Sequence, residues 1–494
     1  MPLEVNYYAY LGIPFDATSE EVRHAYRTAA LRLHPDTNVR PGDTELYLKV
    51  QEAFEVLSDP QRRKRYDDSL PEEFSDPVPL TINVQYSRSS LQQLNEPQLI
   101  YVLLILEAQA VSDTHGGPPL NLCLALDCST SMRGKYLDTV KATALTLIHQ
   151  MRPQDRLSLV TFNDRANVLI PAGSHSDPGR IDSIIRSLQA CGGTEIFKGL
   201  EAGYNEVFHQ MRGDSINHII LLTDGRTYGD EEDCLQIAGQ CATYGIGIST
   251  LGIGTKWNDV FLDNLASITG GSSKFVTEPD EIQKYLIDKF SGLGRNYADQ
   301  VAFSFEPGIG VELRYAFRLQ PEATQLEVAS PVQLGSLPEK SSMRVLFEFY
   351  VSAVPNYHSQ TTVAEGNLKF NIPSRPIPIY NTRIKLDRPN SLHPDSSPPP
   401  IAILEAMSKI TLYRMHDRAQ QDMNSGDYAS ATHRLELLAS NLLSRGERDL
   451  ADAVLDEVGY VLQNQRSSEA GNKHIKYGTR DLFMPPSQRN NERV

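Results

Sequence analysis

The run Leu120-Asn121-Leu122-Cys123-Leu124-Ala125-Leu126 is apolar at nearly every position and stops abruptly at Asp127. It reads as a buried strand. Apolar runs of similar length recur at Arg156 to Phe162, His218 to Thr223, Gly245 to Gly252 and Lys274 to Val276. A helix over Tyr136 to Met151 and helical stretches near 180–189, 197–211, 231–243, 258–268 and 279–290 separate them. Strands alternating with helices across residues 113–295 imply a doubly wound α/β domain with a mostly parallel sheet. Ligands on such a sheet bind beyond the carboxyl ends of its strands.

Three loops at that end carry matching oxygen chemistry. Asp127-x-Ser129-x-Ser131 follows the first strand, and alternate residues of an extended turn point the same way. Gly192-Gly193-Thr194 combines a tight backbone with a third hydroxyl. Thr223-Asp224-Gly225 adds a second carboxylate. Two carboxylates and three hydroxyls are hard donors suited to Mg²⁺ or Mn²⁺ in octahedral geometry. Zinc prefers Cys and His. The bland alternative is that these residues cap helices and close turns.

The pattern resembles the metal-ion-dependent adhesion site of von Willebrand factor type A domains, with Asp127, Ser129, Ser131, Thr194 and Asp224 at its positions. The resemblance implies that one coordination position is left for a water or for an Asp or Glu of a protein ligand. Asp164, Tyr228, Trp257 and Asn258 also follow strands and should ring the same rim. They would read a partner, with loop packing as the other reading of Trp257. The one Glu beside the site, Glu195, also reads as no more than the start of the next helix, no Gly-rich phosphate loop is present, and His149, His209 and His218 lie on helix or strand positions. A metal could activate water, but without a base the expectation is a binding module rather than an enzyme.

Residues 1–70 are helical. Asn6 to Gly12 forms a short helix ended by glycine, and Thr18-Ser19-Glu20-Glu21 is a capping box. Val22, Ala25, Tyr26, Ala29 and Leu33 then share one stripe, with Arg23 and Arg27 on another face. Pro35 stops this helix at His34. A second long helix, about Thr44 to Ser58, turns Tyr47, Val50, Phe54 and Leu57 inward, and Asp59-Pro60 opens a last one. Two apolar stripes joined by a short loop pack as an antiparallel hairpin, which leaves His34-Pro35-Asp36 at the tip.

This segment resembles a J-domain of the DnaJ family, through Tyr7-Tyr8…Leu11-Gly12, Ala25-Tyr26…Leu33-His34-Pro35-Asp36 and Glu52-Ala53-Phe54 to Asp59-Pro60…Arg65-Tyr66-Asp67. The resemblance implies that His34, Pro35 and Asp36 dock on a DnaK-type chaperone and trigger its ATP hydrolysis, with Arg23 and Arg27 as the electrostatic contact. The helix before His34 is less basic than is usual in the family. His393-Pro394-Asp395 repeats the tripeptide in a Pro- and Ser-rich stretch without flanking amphipathic helices, so the tripeptide alone signifies little.

Residues 71–112 and 296–386 read as strands. Val311, Leu313, Tyr315, Phe317 and Leu319 alternate, as do Val345, Phe347, Phe349 and Val351. Too few leading strands exist for a core of their own, so both flanks should join in one antiparallel β-sandwich with the α/β domain of 113–295 inserted between them. Residues 387–400 form a stiff Pro-rich linker. Residues 401–465 are helical, read as a hairpin packed on the body, and 466–494 are polar and expected to be flexible. The fold class is thus multidomain α+β.

A net charge of -15 argues against nucleic acid and anionic membrane as partners. The apolar run Leu99 to Leu106 is too short to span a bilayer, no secretory signal is visible, and the odd set Cys123, Cys128, Cys191, Cys234 and Cys241 has no CxxC spacing. Buried free thiols and a cytoplasmic location are expected. Together these features imply a J-domain co-chaperone that binds a protein partner through a metal. The alternative is a metal-dependent scaffold or regulatory adaptor with the J-domain as accessory.

Overall fold

The computed structural model describes residues 6–33, 43–70, 80–108, 117–173, 178–227, 229–354, 359–375, 378–395 and 397–484. The chain opens with helices α1 (Tyr7–Leu11), α2 (Ser19–Leu33), α3 (Asp43–Leu57) and α4 (Pro60–Ser69). The capping box forms: Thr18 N donates to Glu21 Oε2 (2.6 Å) and Glu21 N to Thr18 Oγ1 (3.2 Å). Asp59 caps α4 by accepting from Gln61 N and Arg62 N. Val22, Val50, Ala53 and Leu57 join Tyr8 and Tyr66 in one core, and Tyr26 stacks on Phe54 with centroids 4.1 Å apart. His34, Pro35 and Asp36 lie outside the described residues.

Strands β1 (Leu80–Tyr86), β2 (Leu91–Gln92) and β3 (Gln98–Ala108) lead into the α/β domain. That domain runs β4 (Leu120–Asp127), α5 (Lys135–Gln150), β5 (Arg156–Phe162), β6 (Ala166–Ile170), α6 (Pro178–Arg186), α7 (Ile196–His209), β7 (Ile216–Thr223), α8 (Glu231–Tyr244), β8 (Gly247–Ile253), α9 (Asp259–Ser267), β9 (Ser273–Val276) and α10 (Pro279–Leu293). Its strand order is β6-β5-β4-β7-β8-β9, parallel except for β6. The edge strand β6 is an addition that the sequence pattern did not reveal.

Every residue of β4 is buried. Leu122, Leu124 and Leu126 pack towards α5 and α10, while Cys123 and Ala125 pack towards α7 and α8. Gly199 lets α7 approach the sheet, since a Cβ there would sit 2.3 Å from the Phe162 ring. Cys123, Cys128, Cys234 and Cys241 are buried free thiols, but Cys191 is exposed.

The chain then returns through β10 (Asn296–Pro307), β11 (Val311–Gln320), β12 (Thr324–Gln325), β13 (Val332–Pro338), β14 (Ser342–Val351), β15 (Gln360–Asn371) and β16 (Ile379–Ser391). Among the described residues these strands and the three leading ones form two sheets, β1-β3-β14-β11-β12 and β13-β10-β15-β16-β2, that share one core. The α/β domain is therefore inserted between β3 and β10 of a sandwich. One detail differs from the alternation in the sequence. Val311 and Leu313 face the inter-sheet core, but the register against β14 shifts between Leu313 and Tyr315. Past this irregularity Tyr315, Phe317 and Leu319 face the other side, where helix α11 (Ile401–Asn424) covers them.

Helices α12 (Tyr428–Ser444), α13 (Arg448–Asn464) and α14 (Glu469–Asp481) complete the tail. The stretch 466–494, expected to be flexible, instead contains α14, in which Lys473, Tyr477 and Arg480 are buried. Likewise β16 takes up the start of the expected linker 387–400. There Asp395 accepts from Ser89 N (2.5 Å) and Ser397 N (3.0 Å), so the second tripeptide is a fastened turn. The helices of residues 6–70 are seated on β16: Asn6 Nδ2 donates to Ile379 O (3.1 Å), Asn381 Nδ2 to Ile13 O (3.3 Å), and Arg383 pairs with Glu21 (2.5 Å).

Arg318 fixes the inserted domain to the sandwich. Its buried guanidinium donates to Gly270 O, to Gly271 O (3.0 Å) and to Leu334 O (2.7 Å). Arg318→Met should lower the unfolding free energy by about 3–5 kcal/mol, because buried carbonyls lose a charged donor. A urea melt of the full chain checks this, and a loss below about 1 kcal/mol would mean that the clamp contributes no more than a surface pair.

Candidate metal centre

β4 and β7 are neighbours in the middle of the sheet, and their last residues are Asp127 and Thr223. The chain leaves them in different directions, so a crevice opens beyond their carboxyl ends. Ser129 to Met132 form a turn that includes a short 3-10 helix, Thr130–Met132. Ser129 N donates to Asp127 Oδ1 (2.8 Å) and Thr223 Oγ1 to Asp127 Oδ2 (2.7 Å). The Ser129 and Ser131 hydroxyls are 3.0 Å apart, and Ser131 Oγ donates to Asp224 Oδ1 (2.7 Å). The first and third loops thus meet through their own oxygens.

The second loop is laced to the first by backbone. Cys191 N donates to Cys128 O (2.8 Å) and Thr130 N to Gly192 O (3.1 Å). Gly192 has φ 79, and a Cβ on it would lie 2.5 Å from Asp164 Oδ2. Thr194 Oγ1 is 2.9 Å from where a Cβ on Gly225 would be, so the absence of that atom lets the second and third loops close. Asp127, Ser129, Thr194 and Asp224 are buried and Ser131 is exposed.

Burial pushes the Asp127 carboxyl up to about 6, with the nearby Asp224 charge adding to this and the Thr223 and Ser129 bonds opposing it. Burial also raises Asp224. Among the described residues no cationic side chain is hydrogen-bonded to either of these two desolvated carboxylates, although the Lys256 charge lowers Asp224, and hydroxyl oxygens complete the rim. That donor chemistry fits a hard divalent cation. Among the described residues no group of three or more His, Cys, Asp or Glu gathers that could hold a metal ion, and the donor set here is two carboxylates and three hydroxyls.

The expected rim divides. Asp164 is exposed and accepts from Gly193 N (2.9 Å), so it shapes the second loop. Asn258 caps α9 by accepting from Phe261 N (3.1 Å) and donates to Glu231 (3.0 Å). Tyr228 lies outside the described residues. Trp257 is a correction: it is 0% exposed and its Nε1 donates to Gly254 O (2.7 Å), so it reads no partner. Gly252 makes room for it, as a Cβ there would fall 2.0 Å from the indole.

Glu195 is exposed and precedes α7 without a side-chain cap bond. His218 is buried near the start of β7 against Ser249 Oγ (2.9 Å), and burial pushes it down to about 3, which keeps it neutral.

Comparison with known proteins agrees with this geometry. Residues 6–67 match the DnaJ domain, 121–288 the von Willebrand factor type A domain, and 401–485 the Sll0103-like C-terminal alpha-helical domain. The chain joins a DnaJ domain to a von Willebrand factor type A domain and a Sll0103-like helical tail. It is 27% identical over 404 residues to the uncharacterized protein sll0103 of Synechocystis sp., covering 78% of this chain and 93% of that one. It is 46% identical over 67 residues to the chaperone protein DnaJ of Dictyoglomus thermophilum, of which it spans 17%. The solved von Willebrand factor type A protein from Catenulispora acidiphila shares the fold, with a TM-score of 0.64 at 14% identity, over 81% of this chain and 96% of that one.

In the DnaJ domain, Arg23 and Arg27 are both exposed on α2, and Arg27 Nε donates to Arg23 O (3.3 Å). The tether to β16 uses Glu21 and neither of these two cations. In the type A domain, one supporting residue went unassigned in the sequence. Thr223 holds Asp127 and also accepts from Gly225 N (3.2 Å), so it serves both carboxylate loops. Its signal was present in the Thr-Asp-Gly triplet. Thr223→Val keeps the shape and removes the hydroxyl, and should cost about 1–3 kcal/mol of stability. Thermal melts of the two chains test this. Equal stability would mean that Asp127 is held by the Ser129 N–H alone.

Proposed function

We propose that this protein is a non-catalytic co-chaperone that stimulates a DnaK-type chaperone ATPase and selects its protein partner through Mg²⁺ or Mn²⁺ held by the type A domain. The observation that carries the reading is the convergence of Asp127, Ser129, Ser131, Thr194 and Asp224 from three loops onto one face of a domain linked to a DnaJ domain. The likeness of residues 6–67 to DnaJ domains supports chaperone recruitment, with His34, Pro35 and Asp36 as the trigger and Arg23 and Arg27 as the contact.

On the metal side, three loops cover one side of an ion and leave the outward side to solvent. Two protein carboxylates roughly neutralise a divalent cation, yet a carboxylate oxygen remains a stronger hard donor to it than a neutral ligand. An Asp or Glu of the partner meets this need, and its bond strengthens as the interface excludes water. No helix among the described residues is long and apolar enough to cross a membrane, which is compatible with the expected cytoplasmic location.

Asp36→Asn should abolish stimulation of a DnaK-type ATPase in steady-state turnover, while the same change at Asp395 leaves it intact. Stimulation that survives Asp36→Asn removes the co-chaperone reading. Separately, EDTA, Asp224→Ala and Thr194→Ala should each weaken capture of a partner purified in Mg²⁺ by about tenfold or more, roughly 1.4 kcal/mol, with ATPase stimulation retained. A partner held equally well in EDTA places the binding surface elsewhere. A partner captured in Mg²⁺ by a chain that stimulates no ATPase would favour the adaptor reading.

A further inference from the structure

We infer that α14 is a positioning element of the metal-bearing face, so that seating of this C-terminal helix and occupancy of that face are energetically linked. The inference rests on the metal reading of the five oxygens. Glu469, Lys473, Lys476 and Arg480 recur at helical spacing along α14, and all four reach into the type A domain. The contacts follow the rim outward from the site. Arg226, two residues after Asp224, pairs with Glu469 (2.6 Å) and donates to Lys256 O (3.1 Å). Lys473 donates to Thr255 O (2.7 Å) and lies over the Trp257 ring at 5.1 Å. Both the loop that carries Asp224 and the loop between β8 and α9 are therefore tied to one helix.

The anchor lies one turn further on. Lys476 bridges Asp259 (2.5 Å) and Asp263 (2.8 Å), and Arg480 grips Asp263 through both oxygens (2.9 and 2.6 Å). Burial pushes the Asp263 carboxyl up, but Arg480 and Lys476 outweigh it and hold the group below the usual carboxylate range. Tyr477 packs on Trp257 and Phe275, with ring centroids 5.9 and 5.8 Å away. The exposed Arg226–Glu469 pair is worth little by itself. Its significance is its place, since the buried anchor fixes where Glu469 and Lys473 present themselves to the two loops. A shift of either loop on ion binding must then alter its contacts with α14, and linkage is reciprocal.

Hydrogen exchange of the full chain, with and without Mg²⁺, tests this. In the unmodified protein Mg²⁺ should slow exchange in 469–481 as well as in 127–131 and 224–227. The double variant Glu469→Gln, Lys473→Met, which spares the anchor, should lose the response in 469–481. It should also need about fivefold or more Mg²⁺ for half-saturation. Lys473→Arg alone, which keeps a donor over the indole and leaves Glu469 in place, should retain the response. A response in the metal loops with none in 469–481 overturns the linkage while the metal reading stands. If no segment responds to Mg²⁺, the metal reading falls and the brace is judged on the metal-free chain. Faster exchange at 224–227 and 254–258 in the double variant then supports it, and unchanged exchange overturns it.

Discussion

β4 is hydrogen-bonded to β5 on one side and β7 on the other, with helices packed on both faces, and it ends on a carboxylate. The Asp127 side chain therefore stands at the mouth of a crevice with no freedom to withdraw. Everything around it compensates for taking a charge out of water. Thr223 and the Ser129 N–H bond its two oxygens, and Ser131 bonds the second carboxylate, Asp224. A buried ion needs such partners because desolvation alone costs more than folding can spare. A divalent cation would supply a positive charge between the carboxylates.

The other domains hold the type A domain at several points. Arg318 clamps the turn after α9 to the sandwich through backbone carbonyls, a contact indifferent to the side chains in that turn. α14 grips α9 and the loop before it through charged pairs and the Tyr477 ring. The DnaJ domain is seated on β16 through Asn6, Glu21, Asn381 and Arg383, and Arg23 and Arg27 are exposed on α2. The DnaJ domain and the type A domain are thus separate units, each in contact with the sandwich.

Much of this was legible in the residues. The apolar run ending at Asp127, the spacing of Ser129 and Ser131, and the Gly-Gly-Thr and Thr-Asp-Gly triplets fixed both sheet and loops, because strand burial and turn chemistry are local properties. What escaped depended on distant partners. α14 looked solvated because the side it turns to the type A domain carries Lys473, Lys476 and Arg480, and the acidic partners of the last two, Asp259 and Asp263, lie more than 200 positions earlier. Trp257 could be read as rim or as loop packing because nothing local shows that Gly252 vacates the space beneath it. β11 looked uniformly one-sided because a register shift leaves no mark on the alternation of its residues. β6 is short and carries exposed Asn167 and Val168, so its pairing with β5 had little apolar signal.

The central claim is that five oxygens on three loops make one divalent-cation site. Calorimetric titration of Mg²⁺ or Mn²⁺ into the chelator-treated full chain tests it most directly. The expected result is a single site with one ion per chain, lost in Asp127→Asn and in Asp224→Asn while circular dichroism shows both variants folded. Absence of saturable heat, or a site that survives both substitutions, would contradict the claim and leave these residues as caps that close three loops.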